Sequence, residues 1–134
     1  MSVDMKTKQV LVVEDNPGDV ALIREIFGSI SNIIWHFVPN VVQARDFLAQ
    51  REKFAAAPRP DLIILDLKLP IFSGSTLIPF IKTYPSLSDI RVVVFTSSES
   101  EKDRSACLEM GADDFVTKPI DLREWERVVR KMLH

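Results

Sequence analysis

Four short apolar runs in this chain each stop at a polar side chain, and that pattern leaves few folds open. Val10–Val13 is followed by Glu14-Asp15, Leu62–Leu65 by Asp66, Val92–Phe95 by Thr96, and Phe115-Val116 lies just before Lys118-Pro119. The runs are rich in β-branched residues and alternate with stretches of helical period, the pattern of βα units around a parallel sheet. In such a sheet the carboxyl ends of the strands share one edge, where open α/β folds place their ligand sites. That edge would gather the carboxylates of Glu14, Asp15 and Asp66 with a hydroxyl and an ammonium. Anions held so close repel and raise one another's proton affinity unless a cation joins them, so the set calls for a divalent metal.

The 134 residues suffice for one domain with an ordinary core. Lysine and arginine number 17 against 19 acids, a formal charge of −2 with both signs interspersed, so there is no basic footprint for nucleic acid. The lone cysteine, Cys107, has no internal disulfide partner, and Met1–Gln9 is polar, unlike a signal peptide. No apolar stretch approaches the ~18 residues a membrane span needs. The expectation is a soluble, cytoplasmic chain that binds neither nucleic acid nor membrane.

Helix signals fill the gaps between the runs. Asn16 caps the first helix and Pro17 suits its first turn, with Val20, Ile23, Phe27 and Ile30 forming an apolar stripe. Ile33–Val38 reads as a second strand. A helix from about Asn40 turns Val41, Ala44, Phe47 and Leu48 inward, and the segment Ala55 to Pro60 ends it. A third helix beginning near Ser75 or Thr76 places Pro79 in its first turn, where amides have no intrahelical partner. Ser98 with Glu101 predicts a capping box for the fourth helix and Gly111 its stop. Asp121 with Glu124 opens the fifth, whose stripe is Leu122, Trp125, Val128, Val129, Met132 and Leu133. The prediction is a single α/β domain over residues 8–134, a doubly wound parallel sheet of five βα units, after an N-terminal extension of residues 1–7.

With these elements in place the chain resembles the receiver domain of two-component response regulators, the CheY-like variant of the flavodoxin-like fold. The resemblance runs from about Lys8 to His134. It is carried by Val13-Glu14-Asp15-Asn16, by Leu65-Asp66-Leu67-Lys68-Leu69-Pro70 with Gly74 beyond, by Thr96-Ser97, by Gly111-Ala112-Asp113-Asp114-Phe115, and by Lys118-Pro119. Each motif alone is weak, and all of them in order are strong. The wording Glu14-Asp15-Asn16-Pro17-Gly18-Asp19-Val20 and the long link before Arg59-Pro60-Asp61-Leu62 resemble the stand-alone regulators associated with bacterial phytochromes.

The resemblance implies a phosphoacceptor switch rather than a turnover enzyme. Asp66 would take a phosphoryl group from a sensor histidine kinase, a bacteriophytochrome if the subgroup likeness holds. Glu14, Asp15, Asp66 and the backbone carbonyl of Lys68 would hold Mg²⁺ or Mn²⁺, cations suited to oxygen ligands. Lys118 would pair with Asp66 before transfer and with the phosphoryl group after it, and Thr96 would donate its hydroxyl to the same group. Phe115 would turn inward as Thr96 moves, changing the surface of the fourth helix, fifth strand and fifth helix, through which a homodimer can form. Lacking a hydroxyl, Phe115 favours the inward position more than a tyrosine would. The family also implies a cis Lys118–Pro119 bond that aims the lysine into the cleft.

Other readings weigh against this one. A degenerate receiver would bind partners without phosphorylation, yet no required residue is missing. Nucleases and phosphatases with paired acids want Asp-x-Asp where this chain has Asp66-Leu67-Lys68. A nucleotide binder wants a glycine-rich loop where Glu14-Asp15-Asn16 would repel phosphate. Cys107 and Trp125 read as packed core residues, and His36 has no partner at zinc spacing. Ile71 and Phe72 are apolar in a loop expected to face solvent.

Overall fold

A computed structural model describes residues 7–134; residues 1–6 of the N-terminal extension lie outside the described residues. The order is β1 (Lys8–Val13), α1 (Pro17–Gly28), β2 (Ile33–Val38), α2 (Val41–Ala49), β3 (Leu62–Leu65), α3 (Leu77–Thr83), β4 (Arg91–Thr96), α4 (Glu101–Met110), β5 (Asp114–Thr117) and α5 (Trp125–Met132). Short 3₁₀ turns precede β3, α3 and α5. The strands form one parallel sheet in the order β2-β1-β3-β4-β5. The expected doubly wound topology is therefore present, with its reversal between β1 and β3.

The central strands are apolar throughout because both faces of the sheet are covered, as parallel sheets require. Leu11, Val13, Ile63, Leu65, Val92 and Val94 point toward α2, α3 and α4, where Phe47, Ile78, Ile81 and Cys107 meet them. Val10, Val12, Leu62, Ile64, Val93 and Phe95 point toward α1 and α5, against Ile23, Phe27, Trp125 and Val129. Trp125 stands edge-on to Phe95 at 5.0 Å and donates its indole N–H to the Pro119 carbonyl at 2.9 Å. Cys107 is buried, as expected.

Helix ends follow local chemistry. Asn16 and Asn40 cap α1 and α2 by accepting from the amides of Asp19 and Gln43. Pro79 sits in the first turn of α3. Gly111 ends α4 at φ 115°, a left-handed conformation that strains other residues. Three expectations shift. α2 ends at Ala49 with Gln50 as a left-handed cap, ahead of the Ala55 to Pro60 segment. Ser100, not Ser98, caps α4, because Ser98 is drawn into hydrogen bonds with Ser100 and Asp103. Leu122 lies in the turn before α5, where the helical period has not begun, and is 68% exposed.

Candidate functional site

Strand register builds the site. Val13 pairs with both Val38 and Leu65, so Glu14 and Asp66 leave the sheet side by side at its carboxyl edge. The Glu14 amide donates to the Val38 carbonyl at 3.0 Å and the Asp66 amide to that of Val13 at 3.1 Å, which fixes both backbones. One strand further on, Thr96 pairs with Thr117, and the Lys118 amide donates to the Thr96 carbonyl at 2.7 Å. From there the lysine side chain reaches back across the sheet edge. Its Nζ lies 2.6 Å from Glu14 Oε1, 2.7 Å from Asp19 Oδ2 and 2.9 Å from Asp66 Oδ2.

An ammonium has three protons, and each has a carboxylate here. Burial by itself lowers the proton affinity of Lys118, but the hydrogen bonds it donates to Asp19, Glu14 and Asp66 outweigh it and leave the pKa raised. Glu14 moves the other way from most paired acids. Its burial, at 3% exposure, together with the nearby Asp66 charge, overcomes the Lys118 hydrogen bond and pushes its pKa up to about 7. Three carboxylates on one buried ammonium leave surplus negative charge, which adds to the effect of burial on the proton affinity of Glu14.

The acids of this edge therefore have a cation other than the metal that charge repulsion called for. Among the described residues no three acid, histidine or cysteine side chains form a ready metal cage. Asp15 is exposed beside Glu14, and the Lys68 amide donates to Asp66 Oδ1 at 3.3 Å. The donor chemistry still fits a hard divalent ion. Glu14, Asp15, Asp66 and the Lys68 carbonyl offer only oxygen, and Mg²⁺ keeps several waters instead of demanding a complete protein cage.

The loop after Asp66 is shaped by Gly74. A Cβ there would stand 1.8 Å from the Asp66 carbonyl oxygen, so only glycine lets the loop fold back to donate from its amide to the Leu67 carbonyl at 2.9 Å. Ile71 sits at the tip with φ 69°, 89% exposed, and Phe72 beside it is also exposed. A β-branched residue in the left-handed region stores about 1–3 kcal/mol of strain.

Thr96 is fully buried, and its Oγ1 accepts from the Ser98 amide at 3.4 Å. Ser98 in turn donates to Asp103 of α4 at 2.6 Å, and its carbonyl accepts from the Thr117 hydroxyl of β5 at 3.0 Å. Phe115 is inward, packed in the cluster of Cys107 and Ala112, while its carbonyl accepts from Arg104 at 3.1 Å. No peptide bond among the described residues is cis, so the Lys118–Pro119 bond is trans, contrary to the family expectation. The long lysine side chain reaches all three carboxylates without it.

Asp19 is the residue the sequence reading missed. It lies in the first turn of α1, and in the sequence only its place in the Glu14-to-Val20 wording sets it apart.

With this geometry in view, similarity to known proteins is informative. Residues 10–130 match the response regulator receiver domain family. Response regulator Rcp1 of Synechocystis is 34% identical over 126 residues, covering 92% of this chain and 84% of Rcp1. The crystal structure of its Mn²⁺-bound form superposes with a TM-score of 0.87 at 33% identity, covering 92% of this chain and 90% of that one. The phosphorylated cyanobacterial phytochrome response regulator RcpA gives 0.89 at 32% identity, covering 93% and 90%. The phosphate regulon regulator PhoB of Escherichia coli is 37% identical over 117 residues, 87% of this chain, which spans about half (48%) of PhoB's length.

The chain belongs to the response regulator receiver domain family, a class of phosphoacceptor switches, and within it is similar to phytochrome response regulators. No helix among the described residues is long and apolar enough to cross a membrane.

Proposed function

We propose that residues 8–134 form a receiver in which Asp66 accepts a phosphoryl group from a sensor histidine kinase. The observation that carries this reading is the Lys118 ammonium held 2.9 Å from Asp66 Oδ2 in a buried pocket at the sheet's switch point. A carboxylate oxygen of Asp66 forms the new P–O bond as the bond from phosphorus to the donor breaks. Lys118 keeps its charge throughout and passes its Asp66 hydrogen bond to an oxygen of the phosphoryl group. Such transfers need positioning and charge stabilisation more than covalent help. Glu14, Asp15, Asp66 and the Lys68 carbonyl would hold Mg²⁺ or Mn²⁺, which when bound cancels charge between the acceptor and the anionic donor. The Mn²⁺-bound form of Rcp1 and the phosphorylated form of RcpA support both parts of this reading.

The signal would leave through Thr96. Turning its hydroxyl to the phosphoryl group frees the Ser98 amide, and Ser98 touches both α4 and β5. A hydrogen bond to a charged group is worth about 1.5–3 kcal/mol, enough to shift a two-state loop about tenfold to a hundredfold. The inward Phe115 fits the same switch, whose output surface is α4-β5-α5, the surface through which a homodimer would form. The likeness to RcpA, and to the bacteriophytochrome response regulator AtBRR at 28% identity and a TM-score of 0.76, supports a bacteriophytochrome as the kinase.

Acetyl phosphate with Mg²⁺ should add the mass of one phosphoryl group to the wild-type chain and none to Asp66→Asn, read by intact mass. Equal gain in both would remove Asp66 from the reaction, and gain in neither would leave a degenerate receiver.

A further inference from the structure

Asp19 occupies the third position of α1, where an acid is favoured by the helix dipole and can return a hydrogen bond to the amide of the capping residue. It does not return one here. The Asn16 amide donates instead to Glu14 Oε2 at 3.1 Å, and the Asp19 carboxylate turns onto Lys118 at 2.7 Å. The Asp19 amide is satisfied separately by the Asn16 side chain at 3.0 Å. The cap is thus built without the Asp19 side chain.

Resting on the proposed phosphoacceptor reading, we propose that Asp19 is a positioning residue that keeps the Lys118 ammonium in the cleft when a divalent ion claims the other two carboxylates. Lys118 has three partners on three elements: Glu14 at the end of β1, Asp66 at the end of β3, and Asp19 in α1. Glu14 and Asp66 are also the donors a metal would take, and each oxygen turned to a metal is lost to the ammonium. Asp19 belongs to neither group of duties. Its side chain is 25% exposed, against 2% for Glu14 and 7% for Asp66, so water still reaches it. Lys118 then keeps one anchored proton and turns a freed one toward the phosphoryl group. Without Asp19, a metal-bound cleft would leave the ammonium only those oxygens of Glu14 and Asp66 that the metal does not take.

The test follows the lysine ammonium itself by ¹⁵N NMR of the whole chain, with and without Mg²⁺. Hydrogen-bonded ammonium protons exchange slowly with water, so Lys118 should give a resolved signal in the wild type under both conditions. In Asp19→Asn the signal should persist without metal, held by Glu14 and Asp66. On adding Mg²⁺ its proton exchange should accelerate about tenfold or more, the loss expected for one charge-assisted hydrogen bond. Asp19→Glu should restore slow exchange, and thermal unfolding of each variant checks that the fold is intact. Unchanged exchange in Asp19→Asn with Mg²⁺ would overturn the proposal, as would loss of the signal without metal. Phosphoryl mass gain on Asp66 is measured on the same samples; its absence in the wild type would count against the phosphoacceptor reading, whereas unchanged exchange alone refutes only the role of Asp19.

Discussion

The two edges of the sheet use charge in opposite ways. At the amino edge, Arg59 pairs with Asp89, Lys82 with Asp113, and Asp61 accepts from the Gln9 amide, all on side chains that water reaches. At the carboxyl edge lie Glu14, Asp66, Thr96 and Ser98, which are the buried polar residues among those described. The first arrangement ties loops to strand starts at little cost and for little gain. The second removes three carboxylates and an ammonium from much of their hydration, a costly arrangement for structure alone. The contrast is one that the proposed phosphoacceptor site would require, and it sets three carboxylates on a single cation.

The largest break in that contrast should come from Lys118→Met. Leaving Glu14, Asp19 and Asp66 without their counter-ion should cost about 3–5 kcal/mol in a chelating buffer, read from urea unfolding. Mg²⁺ should return much of the loss. A change no greater than that of a surface lysine would erase the distinction between the edges.

Next in size is the pH response of the metal-free protein. Because the folded-state pKa of Glu14 is raised to about 7 from the ordinary 4.5, its contribution is fully present below about 4.5 and is lost as pH rises through 7. The shift corresponds to about 3 kcal/mol. Stability should fall across that window in the wild type and stay flatter in Glu14→Gln, and parallel curves for the two would remove Glu14 as the source of the pH dependence. At the amino edge, Arg59→Ala should cost no more than about 1 kcal/mol, since both partners of its ion pair are exposed. A loss as large as that of Lys118→Met would mean that exposure does not separate the two edges.

Much of this edge could be read from the chain. The apolar runs gave the strands, because burial on both faces of a parallel sheet leaves little room for polar residues. Asn16, Asn40 and Gly111 marked helix ends through contacts confined to a few neighbouring residues. The cap of α4 falls at Ser100 instead of Ser98, because Ser98 is tied to Asp103 and Thr117 across the fold. Leu122 was misread because the helical period was extended one turn too early. The Lys118–Pro119 bond is trans where a cis bond was expected, and the lysine side chain reaches its carboxylates all the same.

By itself the sequence determined the alternation of elements, the identity of the strand-end residues and the glycine at position 74, all fixed by local pattern or close backbone approach. Tertiary structure alone decided that Glu14 and Asp19 share the Lys118 ammonium with Asp66. Lys118 lies 99 residues from Asp19 and 104 from Glu14 along the chain, and no local signal spans such a separation. Which acid meets the ammonium, and which keeps a raised proton affinity, depends on strand order and on how much water each carboxylate loses when the sheet closes around it.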